Sequence, residues 1–322
     1  MSKRILYIGT PQTHEQYVQG LVPSHWLYGA VEMEKEGHQV IWEKEGRSFW
    51  HDVSLVRKYR PDLVFIPNLN LHSHQGLLLL SALHLCGIPV FAYLHHEPKV
   101  KRGLKSYLYR FLLSGCKHLF FLSELTMEQT VKNGLVASGR CSVPGWGPDL
   151  DFFRNVKTDD EGYYVSTGKE NRDFSLLIEV FRKTGLPLKI LTSRKHAGAN
   201  YEKLPELCRD VPNIEVVITE NTGEVYPQML EAMAHAHALV CPLRKDRIKY
   251  CVGLSTIADA EGLHKPLVIT RNPYHDEARV SNFNVVDSVE DWCQALEALK
   301  VPEFSGFSME KAYAKMKSLM NL

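Results

Sequence analysis

Short apolar runs alternate with amphipathic stretches along the whole chain. Arg4-Ile-Leu-Tyr-Ile-Gly9 is apolar and ends in glycine, which predicts a first strand. Helical spacing from about Trp26 to Glu36 is stopped by Gly37, and Val40-Ile-Trp42 opens a second strand. Pro61 to Pro67 reads as a third strand, continuously apolar as a parallel sheet covered on both faces requires. A helix from about Gly76 to Cys86, a strand from Ile88 to Leu94, a helix from about Lys101 to Ser114 and a strand from Leu119 to Leu122 follow. Strands and helices alternating at this interval predict a doubly wound α/β domain.

The stretch Val143-Pro-Gly-Trp-Gly-Pro-Asp149 is rich in turn residues and reads as a linker. Beyond it the alternation resumes. Strands are predicted at Tyr163–Gly168, Leu188–Leu191, Ile214–Val217, Ala238–Cys241 and Pro266–Thr270. Helices are predicted at about Ser175–Thr184, Tyr226–His235 and Ser255–Glu261. An amphipathic tail, Ser308 to Met320, reads as a closing helix. The predicted division is 1–145 as an N-terminal Rossmann-like domain, 146–305 as a C-terminal one, and 306–322 as the closing helix. Ligands of open parallel sheets bind beyond the carboxyl ends of the strands, where strand order reverses. Two such sheets facing one another would share one cleft.

Composition narrows the class. The 322 residues suit two domains, and a hydrophobic content of 44% with 23% charged residues is globular. The formal net charge of +1 argues against bulk capture of nucleic acid. Seven cysteines stand singly without zinc-site spacing, as expected of reduced thiols in a cytoplasmic protein. The first residues, MSKRILYIGTPQ, lack the long apolar core of a signal peptide. The apolar stretch Gly76–Val90 is broken by Ser81, His84 and Gly87, which disqualifies it as a spanning helix.

Four places hold candidate chemistry. In Ser166-Thr-Gly-Lys-Glu-Asn-Arg-Asp-Phe174, between a strand and a helix, Gly168 would let backbone approach a ligand, while Lys169 and Arg172 could donate to phosphate. The same spacing also fits an ordinary turn with solvated cations and Asp173 as a helix cap. In Tyr250-Cys-Val-Gly-Leu-Ser-Thr-Ile-Ala-Asp-Ala260, Gly253, Leu254, Ser255 and Thr256 open a helix whose N–H groups could hold a pyrophosphate, with Asp259 one turn on for a ribose. Arg244, Lys245, Arg247 and Lys249 crowd the preceding loop, as a ligand surface or a solvated face. Tyr93-Leu-His-His-Glu-Pro98 puts His95, His96 and Glu97 at a strand's carboxyl end, where histidine can serve as acid or base. Finally, Lys99, Lys101, Arg102, Lys105 and Arg110 interleave with Leu104, Tyr107, Leu108, Phe111 and Leu112. This basic amphipathic helix, 101–114, could lie on anionic lipid or simply pack its apolar face on the sheet.

The stretch Ser255–Thr270, with Gly253-Leu254 before it, resembles the nucleotide-sugar signature of family 4-like GT-B glycosyltransferases. Gly168-Lys169…Arg172-Asp173 is similar to their phosphate turn, Val143–Phe153 to their interdomain crossover, and Gly37-His-Gln-Val40 to the pair before their second strand. These matches span nearly the whole chain in order. Two positions depart from the pattern: the acid expected to face the donor sugar is Cys251, and His264 replaces the glycine before Lys265-Pro266.

The resemblance implies two Rossmann-like domains facing a cleft, and transfer of a sugar from a nucleoside diphosphate sugar to a glycan or lipid-linked acceptor. It further implies surface polysaccharide or glycolipid biosynthesis, retention at the anomeric carbon, and no metal or other cofactor. Lys169 and Arg172 would neutralise the leaving diphosphate, Asp259 hold the ribose, and Arg194 with Thr219-Glu220-Asn221 line the base pocket. The His-Glu-Pro of phosphatidylinositol mannosyltransferases resembles residues 96–98 and gives His96, then His95, an acceptor-side role. His14 and Gly20 fall where that family meets its acceptor. The expected partners are nucleotide sugar, acceptor and the inner face of a membrane, without nucleic acid. Rival expectations are a GT-B epimerase or phosphorylase, for which no clear acid/base carboxylate pair is visible, and a non-catalytic nucleotide-binding module, which Cys251 would suit. A dinucleotide Gly-x-Gly-x-x-Gly is absent from the first turn, against a nicotinamide enzyme.

Overall fold

The computed structural model describes residues 2–98, 103–196, 199–219, 225–303 and 306–322. The chain forms two compact units, residues 1–19, 24–147 and 308–322 in the first and 20–23 and 148–307 in the second. The chain thus crosses at Gly147, and the final segment belongs to the first unit.

The first unit is built on β1 (Arg4–Gly9), β2 (Gln39–Lys44), β3 (Leu63–Ile66), β4 (Val90–Leu94), β5 (Cys116–Phe121) and β6 (Cys141–Ser142). They form one parallel sheet in the order β2-β1-β3-β4-β5-β6. Period-two alternation sorts their side chains onto two faces. Leu6, Ile8, Val64, Ile66, Ala92, Leu94 and Phe121 join one aliphatic core. The intervening Tyr7, Phe65, Phe91, Tyr93 and Phe120 are fully buried on the other face. The helix Met309–Met320 buries Ala312, Tyr313 and Met316, and the Tyr93 hydroxyl donates to Met316 Sδ at 3.1 Å. Ser308 caps this helix by accepting from Lys311 N.

Three predicted helices come out shorter; of the one expected at 101–114, residues 101 and 102 lie outside the described residues and the helix runs Leu104–Leu113. The segment expected at 26–36 is a 3-10 turn, Ser24–Leu27, followed by the helix Ala30–Lys35, because Tyr28 and Gly29 both sit at positive φ. The helix expected at 76–86 is Gln75–Ala82, ended by His84 at φ 57°. Helices at Pro11–Val18, His51–Tyr59 and Glu124–Lys132 are additions to those expected.

The second unit contains β7 (Tyr164–Thr167), β8 (Leu188–Ser193), the two-residue strands β9 (Lys195–His196) and β10 (Ala199–Asn200), β11 (Ile214–Thr219), β12 (Ala238–Cys241), β13 (Leu267–Thr270) and β14 (Asn284–Val286). Apart from the antiparallel β9–β10 pair, they form a parallel sheet in the order β11-β8-β7-β12-β13-β14. The helix Phe174–Thr184 packs Leu177, Ile178 and Phe181 into a core with Ile190, Val240, Val268 and Trp292. In this strand order β7 is the first strand, with β8 and β11 to one side and β12, β13 and β14 to the other. The order therefore reverses between β7 and β12, and that is where such a sheet binds ligands. All seven cysteines are free thiols.

Candidate functional site

The loops beyond β7 and β12 are stitched together by backbone. Asp173 N donates to Pro242 O at 3.0 Å, and Arg244 N to Asn171 O at 3.0 Å. Arg172 and Leu243 form an isolated β-bridge. Asp173 also caps the helix Phe174–Thr184, accepting from Leu176 N.

Arg172 does not point a free guanidinium at a ligand. It is buried, with Nε and Nη2 donating to Thr167 O at 3.2 and 3.1 Å and Nη1 to Glu170 O at 3.0 Å. A further Nη2 bond, at 3.1 Å, reaches Thr256 Oγ1 and ties the turn to the first turn of the helix Leu254–Leu263. These bonds use four of the five guanidinium N–H groups, so the side chain clamps the turn and leaves one N–H over. The space over Gly168 serves the same clamp, since a Cβ there would lie 2.8 Å from Arg172 Nη2. Thr256 is buried with its hydroxyl in this bond, and Leu254 N donates to Cys251 O at 3.2 Å. Lys169 stays half-buried at the rim of the turn, its carbonyl accepting from the Tyr201 hydroxyl.

The helix Leu254–Leu263 begins at Gly253, held at φ 91°, and no side chain caps it. Ser255 in its first turn is exposed. The preceding loop is fixed by residues that no motif singles out. Asn272 Nδ2 donates to Tyr250 O and to Val252 O at 3.0 Å each, and His275 Nε2 to Val252 O at 2.9 Å. Burial lowers His275 to about 4, which keeps it a neutral donor. The Asn272-Pro273 turn signal directly beyond β13 is what could have flagged them. Glu170 accepts from the Tyr250 hydroxyl, closing the loop onto the turn beyond β7.

Asp259 is buried, and its Oδ1 accepts from Tyr226 Oη at 2.8 Å. Burial raises its carboxyl to about 7, although the Tyr226 bond pulls the other way. Cys251, in the place expected for a donor-facing acid, is buried and its thiol is pushed up to about 12. It is therefore neutral at physiological pH. Arg194 is exposed and lies 3.4 Å from Glu202. Glu220 lies outside the described residues. In the basic loop, Lys245 pairs with Asp287 at 2.6 Å, while Arg244 and Arg247 approach Asp246.

On the first sheet, His95 Nε2 donates to Pro67 O at 2.9 Å, from the end of β4 to the end of β3. Desolvation, reinforced by neighbouring His96, lowers His95 to about 4. Tyr28, at φ 53°, sets its ring 5.3 Å from that of His95. His96 is exposed, and Glu97 accepts from Asn133 Nδ2. His14 does not reach this group. It stacks on Trp42 at 3.9 Å and lies 3.4 Å from Glu34, beside the edge strand β2. Gly20 is grouped with the second unit.

No protein-family model matches the chain, and no curated protein matches it. Solved structures do. The glycosyltransferase AviGT4, involved in avilamycin A biosynthesis, is 11% identical with a TM-score of 0.65, over 99% of this chain and 97% of its own. The α,α-trehalose 6-phosphate synthase of Burkholderia multivorans is 10% identical with a TM-score of 0.64, over 100% and 98%. The MnaA–UDP co-structure from S. aureus is 13% identical with a TM-score of 0.58, over 100% and 98%. At these identities the likeness establishes the fold: two Rossmann-like domains of the GT-B type.

Proposed function

We propose that this chain is a glycosyltransferase that moves a sugar from a nucleoside diphosphate sugar to a glycan or lipid-linked acceptor, in surface polysaccharide or glycolipid biosynthesis. The observation that carries the reading is the glycine-started, side-chain-uncapped helix Leu254–Leu263 at the strand-order reversal, clamped beside Lys169 by Arg172. The first-turn N–H groups that follow Leu254 N, itself bonded to Cys251 O, and the partial positive charge of the N-terminus suit a diphosphate. One of the similar structures is a UDP co-structure and another is a glycosyltransferase, which supports a nucleotide-sugar ligand here.

In this reading the bond between anomeric carbon and diphosphate oxygen breaks as the acceptor oxygen bonds to that carbon. Lys169 and the helix N-terminus stabilise the charge growing on the leaving diphosphate, the role that divalent cations fill elsewhere, so we read the reaction as metal-independent. Asp259, one turn further along the helix, orients the ribose. Cys251 offers no carboxylate and, un-ionised, no nucleophile, so retention is assigned without a covalent intermediate on that residue. His96, exposed beyond β4, is the acceptor-side group.

Incubation with UDP-, GDP- and ADP-sugars tests the reading by thermal shift and product analysis. The expected result is a shift with one nucleotide and release of free nucleoside diphosphate from its sugar. An isomerised nucleotide sugar without such release would make the chain an epimerase, and a shift without turnover a binding module. If no nucleotide raises the melting temperature, the donor assignment is wrong.

A further inference from the structure

The helix Leu104–Leu113 turns an apolar face away from the protein. Leu112 and Leu113 are buried and Tyr109 packs partly on the core, anchoring the helix to the sheet. Leu104, Tyr107, Leu108 and Phe111 remain 88%, 70%, 52% and 39% exposed. Their spacing, i, i+3, i+4 and i+7, places all four along one stripe. A contiguous stripe of this kind marks an interaction surface, whereas single exposed apolar residues do not.

Charge identifies what covers it. Between Glu97 and Glu124 the sequence holds no aspartate or glutamate, yet it carries Lys99, Lys101, Arg102, Lys105, Arg110 and Lys117 in a chain of net charge +1. Lys105 and Arg110 are exposed on the helix itself. A second copy of this segment would bring cations against cations. An anionic lipid surface supplies negative charge and an apolar layer at once, with the long basic side chains reaching headgroups while the stripe enters the acyl boundary. No helix among the described residues is long and apolar enough to cross a membrane, so the contact is one of lying on the surface.

We propose that the Leu104–Phe111 stripe seats this protein on an anionic membrane surface. The inference concerns where the protein docks and stands independently of sugar transfer. Where transfer also holds, it favours a lipid-linked acceptor, because His96 precedes this helix closely in the same unit.

Co-sedimentation with phosphatidylglycerol and phosphatidylcholine vesicles tests it. The wild-type protein is expected to pellet with the anionic vesicles at about 0.1 M salt, and less at about 0.5 M as screening shortens the attraction. Leu104→Ser/Tyr107→Ser should weaken binding about tenfold or more while melting as the wild type does, since both side chains are solvated. Lys105→Glu/Arg110→Glu should abolish the preference for phosphatidylglycerol and provides a second readout. Wild-type protein that stays in the supernatant with either vesicle, or a serine variant that pellets as well as wild type, would overturn the proposal. So would a concentration-dependent dimer, without lipid binding, that the serine variant abolishes. The nucleotide thermal shift on the same proteins is a separate readout, so failure of the donor reading leaves this one intact.

Discussion

The carboxyl edges of the two sheets are built differently. On the second sheet the loops beyond β7, β12 and β13 are bonded to one another by Arg172, Asn272 and His275, so the start of the helix Leu254–Leu263 is fixed before any ligand arrives. On the first sheet the corresponding edge offers His95 tied to Pro67 O, an exposed His96, and a chain that runs on into an exposed apolar helix. Preorganised donors suit a group whose charge grows during reaction, because they need no reorganisation at that moment. An edge that presents an exposed side chain suits a partner that arrives from elsewhere and leaves altered.

The sharpest way to break this comparison lies within one turn. Lys169→Ala should cut kcat/KM by about 10²–10³ with an unchanged melting temperature, as removal of a single transition-state donor does. Arg172→Ala should instead act through the fold. It leaves Thr167 O without its donors in a buried site and Glu170 O without one in a half-buried site, at a cost of about 3 kcal/mol, and donor binding falls with it. Denaturant titration beside kinetics separates the two. An Arg172→Ala protein of wild-type stability that is merely inactive would restore Arg172 as a direct phosphate ligand and remove the clamp.

Asp259 gives a smaller, pH-dependent effect. Its folded carboxyl sits at about 7, above the unfolded value of about 3.9, so the folded state keeps a proton that the unfolded chain releases. Stability from this group is fully present below about pH 4 and is lost as pH rises through about 7. Wild type should therefore lose about 2 kcal/mol relative to Asp259→Asn between pH 5 and pH 7, the asparagine still accepting from Tyr226. Urea titrations at the two pH values measure this. A difference between the proteins that does not move with pH would place an ionised Asp259 in the fold.

How much of this was legible beforehand follows from how each feature is encoded. The strands were visible because continuous apolar runs such as Leu63–Ile66 and Ala238–Cys241 are what a doubly covered parallel sheet requires, and both are fully buried. Asp173 as a cap and Gly253 at a helix start followed from local chemistry. The break at Tyr28-Gly29 was not visible, because a helical apolar period continues across it and Tyr313, far along the chain, packs against Gly29. The part Arg172 plays as a clamp was hidden for a related reason. A cation in a phosphate-like turn looks the same in sequence whether its partners are a ligand or the carbonyls of Thr167 and Glu170. Asn272 and His275 act through backbone carbonyls of a loop 20 and 23 residues away, a pairing no spacing rule reports.

The least disturbance is expected from His95, and that near-silence sharpens the contrast between the two edges. With its proton on Nε2 and donated to Pro67 O, only Nδ1 is left to accept, and at about 4 the ring stays neutral throughout the physiological range. A base that weak is far from the pKa that suits proton transfer near neutrality. The kcat/KM profile between pH 5.5 and 8 should therefore carry no inflection from His95. Replacing it by glutamine, which still presents an N–H, should change the rate at any pH in that window by no more than about the factor of ten that a lost hydrogen bond explains. His96→Ala, with the exposed ring gone, should remove the inflection of the acceptor-side acid or base if that ring handles the acceptor proton. Were the inflection to vanish in the His95 variant and persist in the His96 variant, the roles at the end of β4 would be exchanged. His95 would then have to be charged within reach of His96, which requires the first edge to rearrange on binding in a way the second has no need to.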